Sequence, residues 1–443
     1  MSAMFTTIPN DSQLLPLSSG QLLVSSSHSL FCRIPPSDVA LVNELIAGRA
    51  PLESLSEELR RELDRHGFFG DPRPLERDEP TVQIQLTNEC NLACSYCCTN
   101  SGAPRSSEVT FERMQRVVRD VRELLGPGGR VSLLGGEPFL VPWAIDLAEL
   151  AVDIGLNLVI FTNGMLLVDE ALAARVAALN RRGAELRVSL GGPTAELCDA
   201  VSGTPRFEIV LAALDGLARL GAEVVVDMMV LPQHVSVLAQ EIHRLRARLP
   251  AGARISLGLL YLSGRERGEH LFASRGELEA ALDRIAFEGG ELIAAPETAP
   301  LTHRREGCGC AMGTHLHVRS DGALFSCFKM EEQVGHLAEV EFTATARQMR
   351  SSPHPVSELA TCAGCPLDTL CGAGCRSDNL LYTGGPEPVC GPWRVRVLSE
   401  LLAEERVTAV DWPLDHLLAE AHERGIEAPS EIIPARRSRH LID

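Results

Sequence analysis

The chain has 443 residues, 45% of them hydrophobic and 23% charged, a composition with enough apolar material for about three domains with real cores. A formal net charge of −18 argues against a nucleic-acid footprint, which is basic; the one basic run, Arg436-Arg437-Ser438-Arg439, reads as a solvated tail. No apolar run approaches the roughly 18 residues of a bilayer span, and the start Met1-Ser2-Ala3-Met4-Phe5 lacks the basic and apolar regions of a signal peptide. The expectation is a cytoplasmic protein with neither a membrane nor a nucleic-acid partner.

Residues 1–78 hold no clustered cysteines. Leu22 to Arg33 reads as one or two short strands. Ser37 is expected to cap an amphipathic helix with apolar Val39, Val42, Leu45 and Ile46. A second helix runs from Glu57 to His66 and stops at Gly67. A connector rich in proline and charge, Gly70 to Asp78, closes this small α+β module. From 79 to 300 strand and helix patterns alternate. Strands are expected at Val82–Leu86, Val131–Leu134, Leu158–Phe161, Leu186–Leu190, Glu223–Leu231 and Ile255–Leu260, with helical periodicity between them, as in Asp169–Asn180 and Phe207–Leu220. Repeated βα units imply a parallel sheet curled into a barrel or part of one, with functional residues at the C-terminal strand ends.

Chemistry-bearing residues fall at those ends. After the first strand comes Cys90-x3-Cys94-x2-Cys97, and after the second Gly135-Gly136-Glu137-Pro138. Thr162-Asn163-Gly164 follows the third strand, and Ser189-Leu190-Gly191-Gly192 ends the fourth. An iron–sulfur cluster normally takes four cysteines. A set of three suits a 4Fe–4S cluster whose fourth iron is left for an exogenous ligand. The chain has 14 cysteines, and clustered cysteines in a reducing compartment usually bind metal. Residues 301–395 turn rich in glycine and cysteine and lose helical periodicity. They read Cys308-x-Cys310-x11-Gly322-x4-Cys327, then Cys362-x2-Cys365-x5-Cys371-x3-Cys375-x14-Cys390. Eight cysteines make two sets of four. Cys-x2-Cys pairs also suit zinc, but eight ligands with x5 and x3 spacings downstream of the three-cysteine loop favour iron. Cys32, Cys98 and Cys198 read as small buried hydrophobes. Residues 396–443 finish with helices at Ser399–Glu405 and Leu414–Gly425 and a polar tail.

The three-cysteine loop followed by Gly-Gly-Glu-Pro resembles the radical S-adenosylmethionine (SAM) superfamily, and the later cysteine pattern resembles its SPASM domain. The resemblance implies an α/β fold: a partial (β/α)6 TIM-like barrel, open on one side, between the N-terminal module and a C-terminal Cys-rich SPASM domain. It implies three 4Fe–4S clusters and SAM as cofactors. Cys90, Cys94 and Cys97 would hold the SAM-binding cluster. Cys362, Cys365, Cys371 and Cys390 would hold a distal auxiliary cluster, and Cys327, Cys375, Cys310 and Cys308 a proximal one. Around SAM it implies Glu137 at the amino group, Gly135, Gly136 and Pro138 beside it, Tyr96 near adenine, and Asn163, Ser189 and Asp199 as further contacts. Relatives often carry Asp where this chain has Gly191. Met228 reads as core, and His315, His317 and Lys329 as polar residues near the mouth.

The implied reaction is reductive cleavage of SAM to a 5′-deoxyadenosyl radical. That radical takes hydrogen from an unactivated carbon, and the product radical is then oxidised. A ribosomally made precursor peptide is the expected substrate, a cross-link the expected product, and a flavodoxin or ferredoxin the expected external electron donor. The N-terminal module weakly resembles winged-helix elements that recognise leader peptides; a structural cap on the barrel is the other reading. Backbone excision, formylglycine formation and small-molecule alcohol dehydrogenation use the same radical chemistry. Phe328, standing where sulfatase maturases carry a catalytic Asp, argues against the second of these. A non-catalytic iron–sulfur partner protein is the reading from a different class.

Overall fold

The N-terminal strands β1 (Gln13–Leu17), β2 (Gly20–Ser25) and β3 (Leu30–Ile34) pair as an antiparallel sheet in that order in the computed structural model. It describes residues 8–17, 20–71, 80–258, 264–265, 284–285, 307, 313–330, 332–351, 355–374, 376, 379 and 385–388. Helices α1 (Val39–Ile46) and α2 (Glu57–Arg65) follow. Ser37 does not cap α1: its hydroxyl bonds the Asp38 carboxylate, and no side chain satisfies the first amides. Ser56 caps α2, its Oγ accepting the Leu59 amide at 3.1 Å. The chain leaves α2 through Gly67, whose φ of +88° glycine adopts without strain. Alternate strand residues face opposite ways. Leu23, Leu30, Cys32 and Ile34 meet Val42, Leu45, Leu59 and Leu63 of the helices.

The middle of the chain winds β4 (Thr81–Gln85), α3 (Phe111–Leu125), β5 (Arg130–Leu134), α4 (Ala144–Asp153), β6 (Asn157–Thr162), α5 (Glu170–Arg181) and β7 (Glu185–Ser189). It continues through α6 (Ala195–Ser202), α7 (Phe207–Arg219), β8 (Val224–Met229), α8 (Pro232–Arg248) and β9 (Arg254–Gly258). The strands β4 to β9 lie side by side in chain order, all parallel. This is the six-stranded partial barrel expected from the sequence. Val82, Ile84, Val131, Leu133, Leu158, Ile160, Leu186, Val188, Val226 and Ile255 form one core with the helices. The alternate positions are different in kind. Gln83, Gln85, Ser132, Arg187, Asp227 and Ser256 are buried polar residues on the opposite strand face. Arg187 grips Asp227 with two nitrogens, at 2.6 and 3.0 Å, and Ser256 at 2.9 Å, which ties β7, β8 and β9 together. This is a bidentate ion pair with its remaining donors largely used.

Residues 313–351 hold regular structure that the fading periodicity did not foretell. The strand β10 (His315–Val318) extends the barrel sheet, parallel to β4, with His317 beside Gln83. The antiparallel strands β11 (Ala323–Phe325) and β12 (Gln333–His336) follow. A helix α9 (Phe342–Ser351) puts Phe342 and Ala346 into the barrel core. These strands have only 3 or 4 residues, too few for a periodic signal.

Contacts group the N-terminal module with residues 355–388, and the barrel with 313–351. In the first unit the sheet's other face, Leu22, Val24 and Phe31, packs on Leu367 and Leu370, beside Cys365 and Cys371. The short helix α10 (Asp368–Cys371) is further tied to the Ser26–Ser29 turn, where Asp368 accepts from Ser26 and Thr369 bonds Ser26 and Ser29. The helices expected after residue 396, and Cys308, Cys310, Cys375 and Cys390, lie outside the described residues. Among the described residues, no helix is long and apolar enough to cross a membrane.

Candidate active site

The C-terminal strand ends of the barrel surround a cavity of about 260 Å³. Gln83, Leu134, Phe161, Ser189 and Met229 enter it, one from each of β4 to β8. All belong to the strand face opposite the helices. Met228, one residue from Met229, is fully buried in the core. The thiols of Cys90, Cys94 and Cys97 line the same cavity, with Tyr96, Gly135, Gly136 and Asn163.

The cysteine loop is held at several points. Cys90 and Gly102 pair through N–H···O at 2.9 Å, and Gly102 donates to Asn88. Ala93 and Ser95 donate to Ser202 and Val201 at the end of α6. The Glu108 carboxylate accepts Thr87 Oγ1, the Asn88 amide and the Arg105 amide, at 2.7, 2.7 and 3.0 Å. The two glycines allow the loop to approach β5: a Cβ on Gly136 would lie 2.1 Å from Glu89 O, and one on Gly135 3.0 Å from Thr87 O. Their smallness therefore admits the chain's own cysteine loop, whose Thr87 and Glu89 carbonyls take the Gly136 and Glu137 amides at 2.8 Å.

Electrostatics separate the three thiols. Burial pushes the Cys94 thiol up to about 11. Cys90 is also raised, by burial first and then by Glu137 and Cys97. Burial acts on Cys97 too, but the Thr99 hydroxyl, the Ser101 amide and Arg265 outweigh it and bring that thiol below its ordinary value. Cys98 shares the cavity, and burial raises it to about 12.

Glu137 does not line the cavity. It is fully buried, with Oε1 accepting Thr162 Oγ1 at 2.7 Å and the Phe139 amide at 3.2 Å, and Oε2 accepting the Asn163 amide at 2.7 Å. It braces the end of β5 against the end of β6. Burial raises its carboxyl to about 7 despite these bonds. Pro138, itself buried, starts a 3-10 turn behind it. Asn163 does reach the cavity, fixed by Nδ2 to Asn91 at 2.7 Å and by the Met165 amide at 3.0 Å. Asp199 lies off the cavity as well: it accepts the Arg206 and Phe207 amides at 2.8 and 3.0 Å and so caps α7. Gly191 packs on α6, where a Cβ would lie 3.1 Å from Cys198 O; an acidic side chain has no room without a shift.

Two arginines join the site without having stood out in the sequence. Arg206 is 2% exposed and lines the cavity, donating to Ser189 O at 2.7 Å and Asn163 O at 3.3 Å, while its Nε is unpartnered. Arg265 also faces the cavity. Nothing in spacing marks either one. The alternation of polar residues in Val82-Gln83-Ile84-Gln85 and Arg187-Val188-Ser189 was the available sign of an interior built for a ligand. Phe328 lines the cavity, and His317 lies buried between Phe325 and Phe328 with Nδ1 unpartnered. Burial lowers the His317 imidazole to about 3, so it is neutral. His315 is half-buried, and Lys329 is near enough to Cys98 to act on it.

Of the later cysteines, Cys327 and Cys362 are buried, and Cys365 and Cys371 half-buried. Cys362, Cys365 and Cys371 share one tight segment: the Cys365 amide donates to Cys362 O at 2.9 Å, and Gly372, Ala373 and Gly374 all take positive φ.

Among the described residues no three His, Cys, Asp or Glu side chains converge on one metal ion. A 4Fe–4S cluster does not ask for that, because each thiolate takes its own iron. Three thiols around one cavity, the buried Arg206, the half-buried Arg265 and an unpartnered guanidinium nitrogen on Arg206 fit such a cluster together with an anionic, carboxylate-bearing ligand.

The Radical SAM superfamily model matches residues 84–239. The chain is 31% identical over 173 residues to the mycofactocin maturase MftC of Mycobacterium tuberculosis, covering 39% of this chain and 43% of that protein. It thus spans less than half the length of that relative. It is 27% identical over 339 residues to an AdoMet-dependent heme synthase of Methanosarcina barkeri, covering 70% of this chain and 95% of that one. Streptococcus suis SuiB bound to its precursor peptide SuiA shares the fold, with a TM-score of 0.53, 15% identity, and coverage of 86% of this chain and 98% of that one. With its cysteine loop, its glycine pair and the parallel strands that carry them, the segment 84–239 is a radical SAM domain.

Proposed function

We propose that the protein is a radical SAM maturase acting on a precursor peptide, in which Cys90, Cys94 and Cys97 hold a 4Fe–4S cluster. The observation that carries this reading is the meeting of those thiols with Gly135, Gly136, Asn163, Ser189 and Arg206 around one cavity at the strand ends. When bound, the reduced cluster and SAM supply a 5′-deoxyadenosyl radical able to take hydrogen from an unactivated carbon. The chain's part is to bind, orient and shield. Arg206, buried and with Nε free, suits the SAM carboxylate, and Ser189 and Asn163 offer polar contacts beside it. Tyr96, Leu134, Phe161 and Met229 give an apolar wall that excludes water and competing hydrogen donors. Glu137 and Asp199 work one step back, holding the β6 end and α7 in place. Cys327, Cys362, Cys365 and Cys371, with Cys308, Cys310, Cys375 and Cys390, suit auxiliary clusters that take up the electron released when a substrate radical is oxidised. A flavodoxin or ferredoxin suits the role of donor.

A peptide substrate is supported by the similarity to a maturase and by the fold shared with a protein solved with its precursor peptide. The similarity to a heme synthase over 70% of the chain supports a second reading, oxidation of a small molecule. The test is anaerobic reconstitution with SAM and dithionite, followed by mass spectrometry of a small peptide encoded beside the gene and co-expressed with the protein. Formation of 5′-deoxyadenosine with loss of two hydrogens per modified site supports the maturase. Formation of 5′-deoxyadenosine with the peptide unchanged favours the small-molecule reading, and absence of 5′-deoxyadenosine sinks both.

A further inference from the structure

Gly264 and Arg265 follow β9, at the far end of the parallel six from β4, yet they close on the loop that follows β4. The Arg265 amide donates to Cys97 O at 2.9 Å, its Nε to Cys94 O at 2.9 Å, and its Nη1 to Ser101 O at 2.7 Å. One residue thus takes three carbonyls of the cysteine loop, two of them on the cysteines themselves. Gly264 is what lets the backbone come so near. Its φ is +64°, and a Cβ there would fall 2.2 Å from Cys97 O and 2.5 Å from Cys98 O. The guanidinium also faces the cavity lined by Cys90, Cys94 and Cys97.

We infer that Gly264–Arg265 is a clamp: it joins the last parallel strand to the first across the open side of the barrel, and it fixes a cation against the cluster loop. Arg265 is a positioning residue. Its fork immobilises the carbonyls of Cys94 and Ser101 and its amide that of Cys97, so the spacing of the thiols does not depend on the loop's own turns alone. Its charge opposes that of the thiolates and favours the more negative, reduced state of whatever cluster they hold, since net charge and hydrogen bonding around a cluster set its potential. The two effects are separable. Lysine keeps the charge and loses the fork; alanine loses both.

This rests on the reading that the loop carries the SAM-binding cluster, and the experiment keeps the two apart. Full-length protein is reconstituted anaerobically as wild type, Arg265→Ala, Arg265→Lys and Gly264→Ala. Amide exchange is followed over residues 94–102, and the midpoint potential is taken from the one cluster signal in electron paramagnetic resonance that changes on adding SAM. The clamp predicts that exchange of the loop rises about tenfold in all three variants, since each loses hydrogen bonds to it. It predicts a more negative potential in Arg265→Ala and a potential near wild type in Arg265→Lys. Loop exchange unchanged in either arginine variant overturns the clamp, and an unchanged potential in Arg265→Ala overturns the role of its charge. A wild type without any SAM-responsive signal counts against the proposed function instead, and the exchange data then still decide the clamp.

Discussion

Single atoms decide the fate of several residues at the site. Gly136 has no room for a methyl, with Glu89 O only 2.1 Å from where it would stand. Gly136→Ala must push the cysteine loop away from β5. The expected result is a folded barrel that loses most of its SAM-responsive iron, checked by iron content and visible absorbance against wild type. Glu137 makes a different kind of prediction. Burial raises its carboxyl from 4.5 to about 7, so between those values the folded protein holds a proton that the unfolded chain has lost. Stability from this group is full below pH 4.5 and falls as pH rises towards 7. Replacement by Gln removes the titration but leaves an amide N–H2 facing a donor, either the Asn163 amide or the pair Thr162 and Phe139. Glu137→Gln should lower stability by roughly 1–3 kcal/mol and flatten the fall in melting temperature between pH 5 and 7. A variant with the wild-type pH slope would show that Glu137 does not titrate there. The sequence shows that Glu137 matters but not how: a Gly-Gly-Glu-Pro motif has the same letters whether the carboxylate meets a ligand or a neighbouring strand.

At the scale of elements, long periodic segments were legible and short ones were not. Six strands and the helices Glu170–Arg181 and Phe207–Arg219 stand within a residue or two of where periodicity puts them. β10, β11 and β12 went unseen because they owe their existence to a sheet edge already formed by β4, not to their own pattern. The cap expected at Ser37 is not made, since its hydroxyl bonds Asp38; the serine that does cap a helix, Ser56 before α2, had not been singled out. Asp199 is the instructive case, for its place in Cys198-Asp199-Ala200-Val201 looks like a cofactor contact while its carboxylate holds the first amides of α7. Asp199→Ala should cost about 1–2 kcal/mol, the usual value of a lost cap, and Asp199→Asn much less. In both, the affinity for SAM per folded molecule should stay close to wild type. Ser189→Ala, which removes a hydroxyl lining the cavity, should do the reverse, weakening SAM binding several-fold with little change in melting temperature. Equilibrium binding of SAM measured beside thermal unfolding separates the two roles. A large loss of affinity in Asp199→Asn at unchanged stability would return that residue to the binding site.

At the scale of the molecule, the N-terminal module is not an independent appendage. One face of its sheet is filled by α1 and α2, and the other rests on Leu367 and Leu370 within the Cys362–Cys371 segment. Composition could not reveal this, since the pairing joins residues more than 300 positions apart, as in the bond from Ser29 to Thr369. Its physical consequence follows from area. Leu22, Val24 and Phe31 are at most 3% exposed, and each contributes about 1.5–3 kcal/mol when fully buried. Much of that burial is against a segment of turns and one short helix, which has little regular structure of its own to hold Cys365 and Cys371 in position. The module therefore acts as the wall on which those cysteines are mounted. Removing residues 1–78 should make the truncated chain lose iron from the C-terminal cysteines while the SAM-responsive signal of the Cys90–Cys97 loop persists. Phe31→Ala, a milder cut that leaves the strand pairing in place, should lower the same iron in part. If both variants keep the full iron complement and lose only peptide turnover, the sheet serves recognition alone, and the packing of Phe31 on Leu367 and Leu370 does not hold the cysteine segment.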